Sequence, residues 1–326
     1  MADDGDDNIF VYLGGEQEVP DDVRRIVIDR SVKIIPDRAF AGRERLISVE
    51  MHDGVEIVGR WAFSRCHSLR KIKLLGVREV ERGAFHTCVS LSVEFGDKLE
   101  IIRSGAFGFG PSLQKIKLPS VRTIEQGAFG ACRQLTDVEF GGNLETIQYH
   151  AFHSCPLLRR IAVPLKDSIF PLHPTNHQYT PFVHCRNLIT VDLVGGIHKT
   201  ISSLLLESWR TEIIAEIDRI NQDLPSTGHL GKTDAIRGWI RTVIDRVEHY
   251  KAEHYRLLKE DMTLLELAIW KAKIDEKEDD YFNKKLQTKR TKIDVGSARK
   301  ERRITSGANI IIKNVVPFLE LFEEEE

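Results

Sequence analysis

No cysteine follows Cys185 in this 326-residue chain, and charge of neither sign is in surplus, the net being −2. The near-neutral balance is that of an ordinary globular chain. No apolar run is long enough to span a bilayer. There is no phosphate-binding loop, dinucleotide fingerprint, nucleophile elbow or paired-cysteine zinc spacing. His173, His177, His184 and Cys185 could meet around a metal, but their spacing matches no closed zinc site. No catalytic residue, cofactor or metal is therefore assigned. The start, Met1-Ala2-Asp3-Asp4-Gly5-Asp6-Asp7, is acidic and has no basic stretch before an apolar one. It does not read as a signal peptide, so a cytoplasmic address is expected, with the nucleus as an alternative.

What the chain does have is a period. Phe40, Phe63, Phe85, Phe107, Phe129, Phe152 and Phe182 recur at intervals of 23, 22, 22, 22, 23 and 30 residues. The unit reads roughly L-x-x-I-x-L, a turn, V-x-x-I, then A-F-x-x-C. Leu69, Ile72, Leu74, Val77, Val80, Ala84, Phe85 and Cys88 show it, as do Leu113, Ile116, Leu118, Val121, Ile124, Ala128, Phe129 and Cys132. The alternating stretch places its apolar residues on one face of a short strand. One such unit cannot bury that face alone, but a stack of them can. Strands are expected at 25–28, 48–51, 71–74, 92–95, 115–118, 137–140, 160–163 and 190–193. Eight coils at ~4.8 Å each would stack to about 40 Å. The coil between Leu91 and Val93 is one residue short, and the insertion 165–179 is expected to loop out.

These A-F-x-x-C stretches, with strands such as Lys71-Ile72-Lys73-Leu74 and Asp137-Val138-Glu139-Phe140, resemble the BspA-like branch of the leucine-rich repeat family. The resemblance covers residues 20–195. It implies an α/β fold, a leucine-rich repeat solenoid of about eight coils of 22–23 residues followed by an α-helical C-terminal module. Its functional implication is protein binding or surface adhesion. Bacterial members are exported, and the acidic start of this chain departs from them. Leucine-rich repeat ubiquitin ligases carry a cysteine nucleophile in their helical module, and none is present here. The resemblance thus implies a non-enzymatic protein-interaction module. The alternative is a nuclear or nucleic-acid adaptor.

Cys66, Cys88, Cys132, Cys155 and Cys185 share one repeat position, with Gly110 in their place once. Same-column positions on adjacent coils lie within disulfide range. Yet five is odd, and a reducing compartment keeps thiols free, so a column of small buried hydrophobes is expected. Outward strand positions alternate in sign from coil to coil. Arg25, Lys71, Lys73, Lys115, Lys117 and Arg160 face Glu50, Glu94, Asp137, Glu139 and Asp192. A second column repeats this as Lys33, Glu56, Arg78, Glu100, Arg122 and Glu145. Opposite charges on neighbouring strands attract, so the sheet is expected to neutralise itself.

After Gly195-Gly196 the apolar period becomes helical. Ile201, Leu205, Trp209, Ile213, Ile217, Ile220 and Leu224 form one stripe, which Pro225 closes. A second stripe runs from Ile236 to Ala272 and predicts a helix from about Thr233 to Lys273, about 60 Å long. His254 within it is expected to be an edge or hydrogen-bonded core histidine rather than a ligand. Such a helix needs a partner along its length, whether the first helix, the solenoid, another protein or a second copy of the chain. The candidate partner-binding residues are Trp209, Trp239, Tyr250, Tyr255 and Trp270. Residues 284–303 carry nine basic against two acidic residues. Lys284, Lys285, Lys289, Arg290, Arg302 and Arg303 are the candidate basic patch, but interleaved aromatics for base stacking are lacking, so nucleic acid is not the expected partner. The chain divides into an acidic start and cap at 1–22, the solenoid at 23–196, the helical module at 197–282, and a basic segment with an apolar, acidic tail at 283–326.

Overall fold

The repeating phenylalanines form a single internal stack in the computed structural model, which describes residues 9–15, 17–110, 112–171 and 180–287, with side chains to residue 274. Tyr12 caps the stack on Phe40 at 4.9 Å. Ring centroids then step 4.9, 5.1, 5.3, 5.3, 5.2 and 5.7 Å from Phe40 to Phe182. The spacing is slightly longer than the distance between hydrogen-bonded strands, so each ring takes its place from its own coil. The strands enclose this column by turning alternate residues inward. In Lys71–Leu74 and Lys115–Leu118, both lysines are exposed and Ile72, Leu74, Ile116 and Leu118 are buried.

All the expected strands form, and all pair in parallel. One further strand, Ile9–Tyr12, pairs with Arg25–Ile28 in the acidic start and extends the stack by one layer. The sheet has two parts. Ile9–Tyr12 through Ser92–Phe95 make five strands, and Lys115–Leu118 through Thr190–Val194 make four. The split falls beside the coil that is one residue short. A second sheet of six two-residue strands, from Ile34–Ile35 to Thr146–Ile147, crosses the split without interruption. Among the described residues, six complete coils therefore carry a strand in each sheet, and the coils at either end contribute only to the first. Every A-F pair is also tied to its neighbour by main chain. Phe63 N donates to Ala84 O, Phe85 N to Ala106 O, and Phe107 N to Ala128 O, all within 2.8 Å.

The insertion differs from the sequence expectation over its first part. Asp167–Ile169 form a short 3₁₀ turn, and Ile169 and Phe170 are buried, with Phe170 5.8 Å from Phe182. Two apolar side chains gain more by covering the last rings of the stack than by facing water. Residues 172–179 lie outside the described residues. The first helical stripe also differs. It is two helices, α1 (Ile197–Ser202) and α2 (Glu207–Asp223), because Leu204 turns inward between them. The main chain freed by that break finds side-chain partners. Arg210 Nε donates to Leu204 O at 3.0 Å, and Leu205 N donates to His254 Nδ1 at 3.2 Å. The third helix, α3, runs from Lys232 to Gln287 and continues through the acidic stretch past Lys273.

By packing, residues 1–256 form one compact unit, and a second begins at Leu257 within α3. Inside the first unit the helices cover the open end of the solenoid. Asn221 Oδ1 of α2 accepts a hydrogen bond from Val191 N in the last strand at 2.8 Å. Lys232 is fully buried, and its Nζ donates to Leu188 O at 2.6 Å and Leu224 O at 3.0 Å. Burial pushes this ammonium below the usual lysine range, and the two carbonyls offset part of that cost. Arg237 Nε reaches Phe170 O at 3.1 Å. Terminal repeats need a polar cover, and here side chains of α2 and α3 supply it.

Candidate functional site

The outward rows of the first sheet pair across coils. Arg25 lies 3.5 Å from Glu50, Lys71 and Lys73 lie 3.6 and 3.8 Å from Glu94, Lys117 lies 3.2 Å from Glu139, and Arg160 lies 2.5 Å from Asp192. Lys115 reaches Asp137 at 4.0 Å. Of the second column, Arg122 meets Glu145 at 2.6 Å, and that carboxylate raises the arginine's pKa. A third row escaped the sequence reading: Arg103 sits between Glu79 at 2.6 Å and Glu125 at 2.8 Å. It belongs to the coil turns, where sign alternation is irregular and the strand period gives no signal.

The cysteine column has one repeated job. Each thiol donates to the carbonyl of the phenylalanine one coil back: Cys66 to Phe40, Cys88 to Phe63, Cys132 to Phe107, Cys155 to Phe129 and Cys185 to Phe152, at 3.0–3.3 Å. All five are free and buried. Burial pushes Cys66 and Cys132 up to about 12. A thiol so far from ionising is a poor nucleophile at neutral pH. Cys185 is buried in the column, and His184 stacks on His229 at 4.9 Å, while His173 and His177 lie outside the described residues. Among the described residues no cluster of three or more His, Cys, Asp or Glu is placed to hold a metal.

The aromatic candidates of the helical module separate into two groups. Trp239 is buried and donates through Nε1 to Glu216 O at 2.9 Å. Tyr250 is buried, hydrogen-bonded to Glu212, and stacked on half-buried Trp209 at 5.2 Å. These three hold α2 against α3. Tyr255 and Trp270 are exposed, Trp270 at 69%. Beyond Arg256, Met262, Leu264, Leu267, Ile269 and Ile274 are exposed as well. Of the basic candidates, Lys284 and Lys285 fall in the last turns of α3, where side chains are not described. Lys289, Arg290, Arg302 and Arg303 lie outside the described residues. No helix among the described residues is long and apolar enough to cross a membrane.

Comparison with known proteins identifies the repeat. Residues 21–92 and 75–180 match the BspA-type leucine-rich repeat region in six copies, the number of complete coils. None of the curated proteins matches the chain. Among solved structures, a leucine-rich repeat protein of Bacteroides ovatus is similar over 53% of this chain, with 23% identity and a TM-score of 0.41. The similarity spans 43% of that protein's length. A leucine-rich repeat protein of T. pallidum is similar over 56% of this chain and 84% of its own, with 22% identity and a TM-score of 0.36. A leucine-rich cell surface protein of Faecalibacterium prausnitzii is similar over 54% and 74%, with 17% identity and a TM-score of 0.23. The phenylalanine stack, the thiol column and the six matched copies place the solenoid of this chain in the BspA-type leucine-rich repeat family.

Proposed function

We propose that the chain is a non-enzymatic protein–protein interaction module, with the solenoid as its rigid body and the distal part of α3 as its docking element. One observation carries this reading. From Met262 to Ile274 the helix exposes apolar residues on two sides, with Met262 and Ile269 on one and Leu264, Leu267, Trp270 and Ile274 on the other. A helix apolar on more than one side is stable in water when something covers it. The covering partner is a protein, either a second copy of this chain or another one. Five thiols retained as hydrogen-bond donors suit a reducing compartment, which supports a cytoplasmic setting.

Leu267→Glu combined with Trp270→Glu in the full chain tests the reading. Sedimentation velocity reports self-association, and affinity capture from the native cell reports other partners. The double variant is expected to lose the association while keeping the melting temperature of the parent. Association that persists unchanged, in either assay, contradicts the reading.

A further inference from the structure

The turns that follow the second sheet carry a patch that the sheet's charge pairing does not account for. The residue before each A-F pair has a left-handed backbone: Arg38, Trp61, Gly83, Gly105, Gly127 and His150 all have φ between 57° and 64°. Glycine adopts that conformation freely, whereas arginine and tryptophan adopt it at a cost. Three middle coils use glycine. The two N-terminal ones place a guanidinium and an indole there instead. The position one residue earlier is Asp37, Arg60, Arg82, Ser104, Gln126 and Tyr149 in successive coils, so its two basic members fall side by side in the second and third coils. Main-chain bonds fix the arrangement: Arg38 N donates to Arg60 O at 2.9 Å, Trp61 N to Arg82 O at 3.0 Å, and Arg65 N to His86 O at 3.0 Å.

Two adjoining hollows open here and share Arg38 and Trp61. One, about 410 Å³, is bounded by Asp37, Arg60 and Arg82. The other, about 560 Å³, is bounded by Ser64, Arg65, His86 and Thr87. Trp61 lies over Gly83, where a Cβ would come within 2.4 Å of the indole, so the ring is held in place by the next coil. His86 and then the exposed Phe109 continue the aromatic row at 5.5 and 5.4 Å. Arg60 has Glu81 at 3.4 Å, and Asp37 accepts from Arg60 N at 2.7 Å. Arg38, Arg65 and Arg82 are exposed and have no acidic partner among the described residues. Burial, with the Arg65 charge second, lowers the pKa of His86.

We propose that this patch binds an anionic side-chain group of a partner peptide, a phosphate or a cluster of carboxylates, with a neighbouring apolar residue of that peptide resting on Trp61 and the aromatic row. Guanidinium forks match both anions bidentately. The residues of this site all belong to the first unit, and the proposal does not rest on the distal part of α3. A single-stranded nucleic acid is the less suitable ligand, because it needs a basic track along many coils, whereas Ser104, Gln126 and the glycines that follow carry no charge.

The test replaces each unpaired arginine by the residue that a later coil carries at the same position: Arg38→Gly, Arg65→Ala and Arg82→Ser, together in the full chain. The coil geometry accepts all three replacements. Fluorescence anisotropy is read with a labelled phosphotyrosine peptide, its unphosphorylated form, a labelled hexaglutamate peptide ending in phenylalanine, and an oligouridylate of equal charge. The parent is expected to bind the phosphotyrosine or the glutamate peptide, and the one preferred names the anion. The triple variant should bind that peptide more weakly by at least about tenfold, the scale of one charge-assisted hydrogen bond. Leu267→Glu with Trp270→Glu should leave this binding unchanged. The proposal is overturned if neither anionic peptide binds, if the triple variant binds as tightly as the parent, or if oligouridylate is preferred.

Discussion

The two outer surfaces of the solenoid treat charge in opposite ways. On the first sheet nearly every cation faces an anion on the next coil, as Lys117 faces Glu139 and Arg160 faces Asp192. On the N-terminal turns Arg38, Arg65 and Arg82 have no acidic partner among the described residues. Both surfaces belong to the same coils and rest on the same phenylalanine stack, so the difference lies in which residues each surface carries. A sheet of alternating rows is its own counterion, and each exposed pair contributes about 0.2–1 kcal/mol to holding neighbours in order. Uncompensated arginines beside a fixed indole contribute nothing of the kind. Their cation–anion energy is held in reserve for a ligand.

The largest effect should come from the core that both surfaces share. Phe107→Ala removes a fully buried ring flanked by Phe85 and Phe129 at 5.3 Å on either side, and should cost about 3–5 kcal/mol in urea unfolding. Because coils support only their neighbours, sheet and turns should be lost together. A variant that unfolds at the parent's midpoint would break the assignment of the column.

A smaller loss is expected where the stack ends. Lys232→Met keeps the aliphatic stem but removes the donor to Leu188 O and one of the two donors to Leu224 O, which keeps Thr227 N. The expected cost is about 1–3 kcal/mol, read in the same unfolding experiment. Hydrogen exchange should rise first at Val191, whose N–H depends on the docking of α2. Parental stability in this variant would mean that the helices do not serve as the cap.

Much of this architecture was legible in the chain. The Ala-Phe period located the interior column, and the alternation in Lys71-Ile72-Lys73-Leu74 set strand position and facing. The signs of Lys117 and Glu139 foretold their pairing, because register in a solenoid follows from the repeat itself. The six-strand second sheet was not legible, since a two-residue strand such as Thr123–Ile124 has no period to detect. Nor was the break between α1 and α2. Leu205 continues a helical stripe in the sequence, and only the packing of Leu204 and the bond from Leu205 N to His254 Nδ1 turn the chain into a bend there. Trp209, Trp239 and Tyr250 looked like docking residues because an amphipathic stripe does not say what covers it. Within the first unit the two helices cover each other. The arginine patch has no sequence signature, because its members come from different positions of three coils and only the turn geometry assembles them.

The most direct test of the contrast between the two surfaces is denaturant unfolding of two charge variants at low and high salt. Lys115→Glu with Lys117→Glu sets new anions against Asp137 and Glu139. Arg38→Gly with Arg65→Ala and Arg82→Ser removes the unpaired cations. The sheet variant should lose about 1 kcal/mol at low salt and recover most of it when the charges are screened. The turn variant should stay within about 0.5 kcal/mol of the parent at both salt concentrations. A sheet variant as stable as the parent, or a turn variant destabilised in a salt-dependent way, would contradict the account.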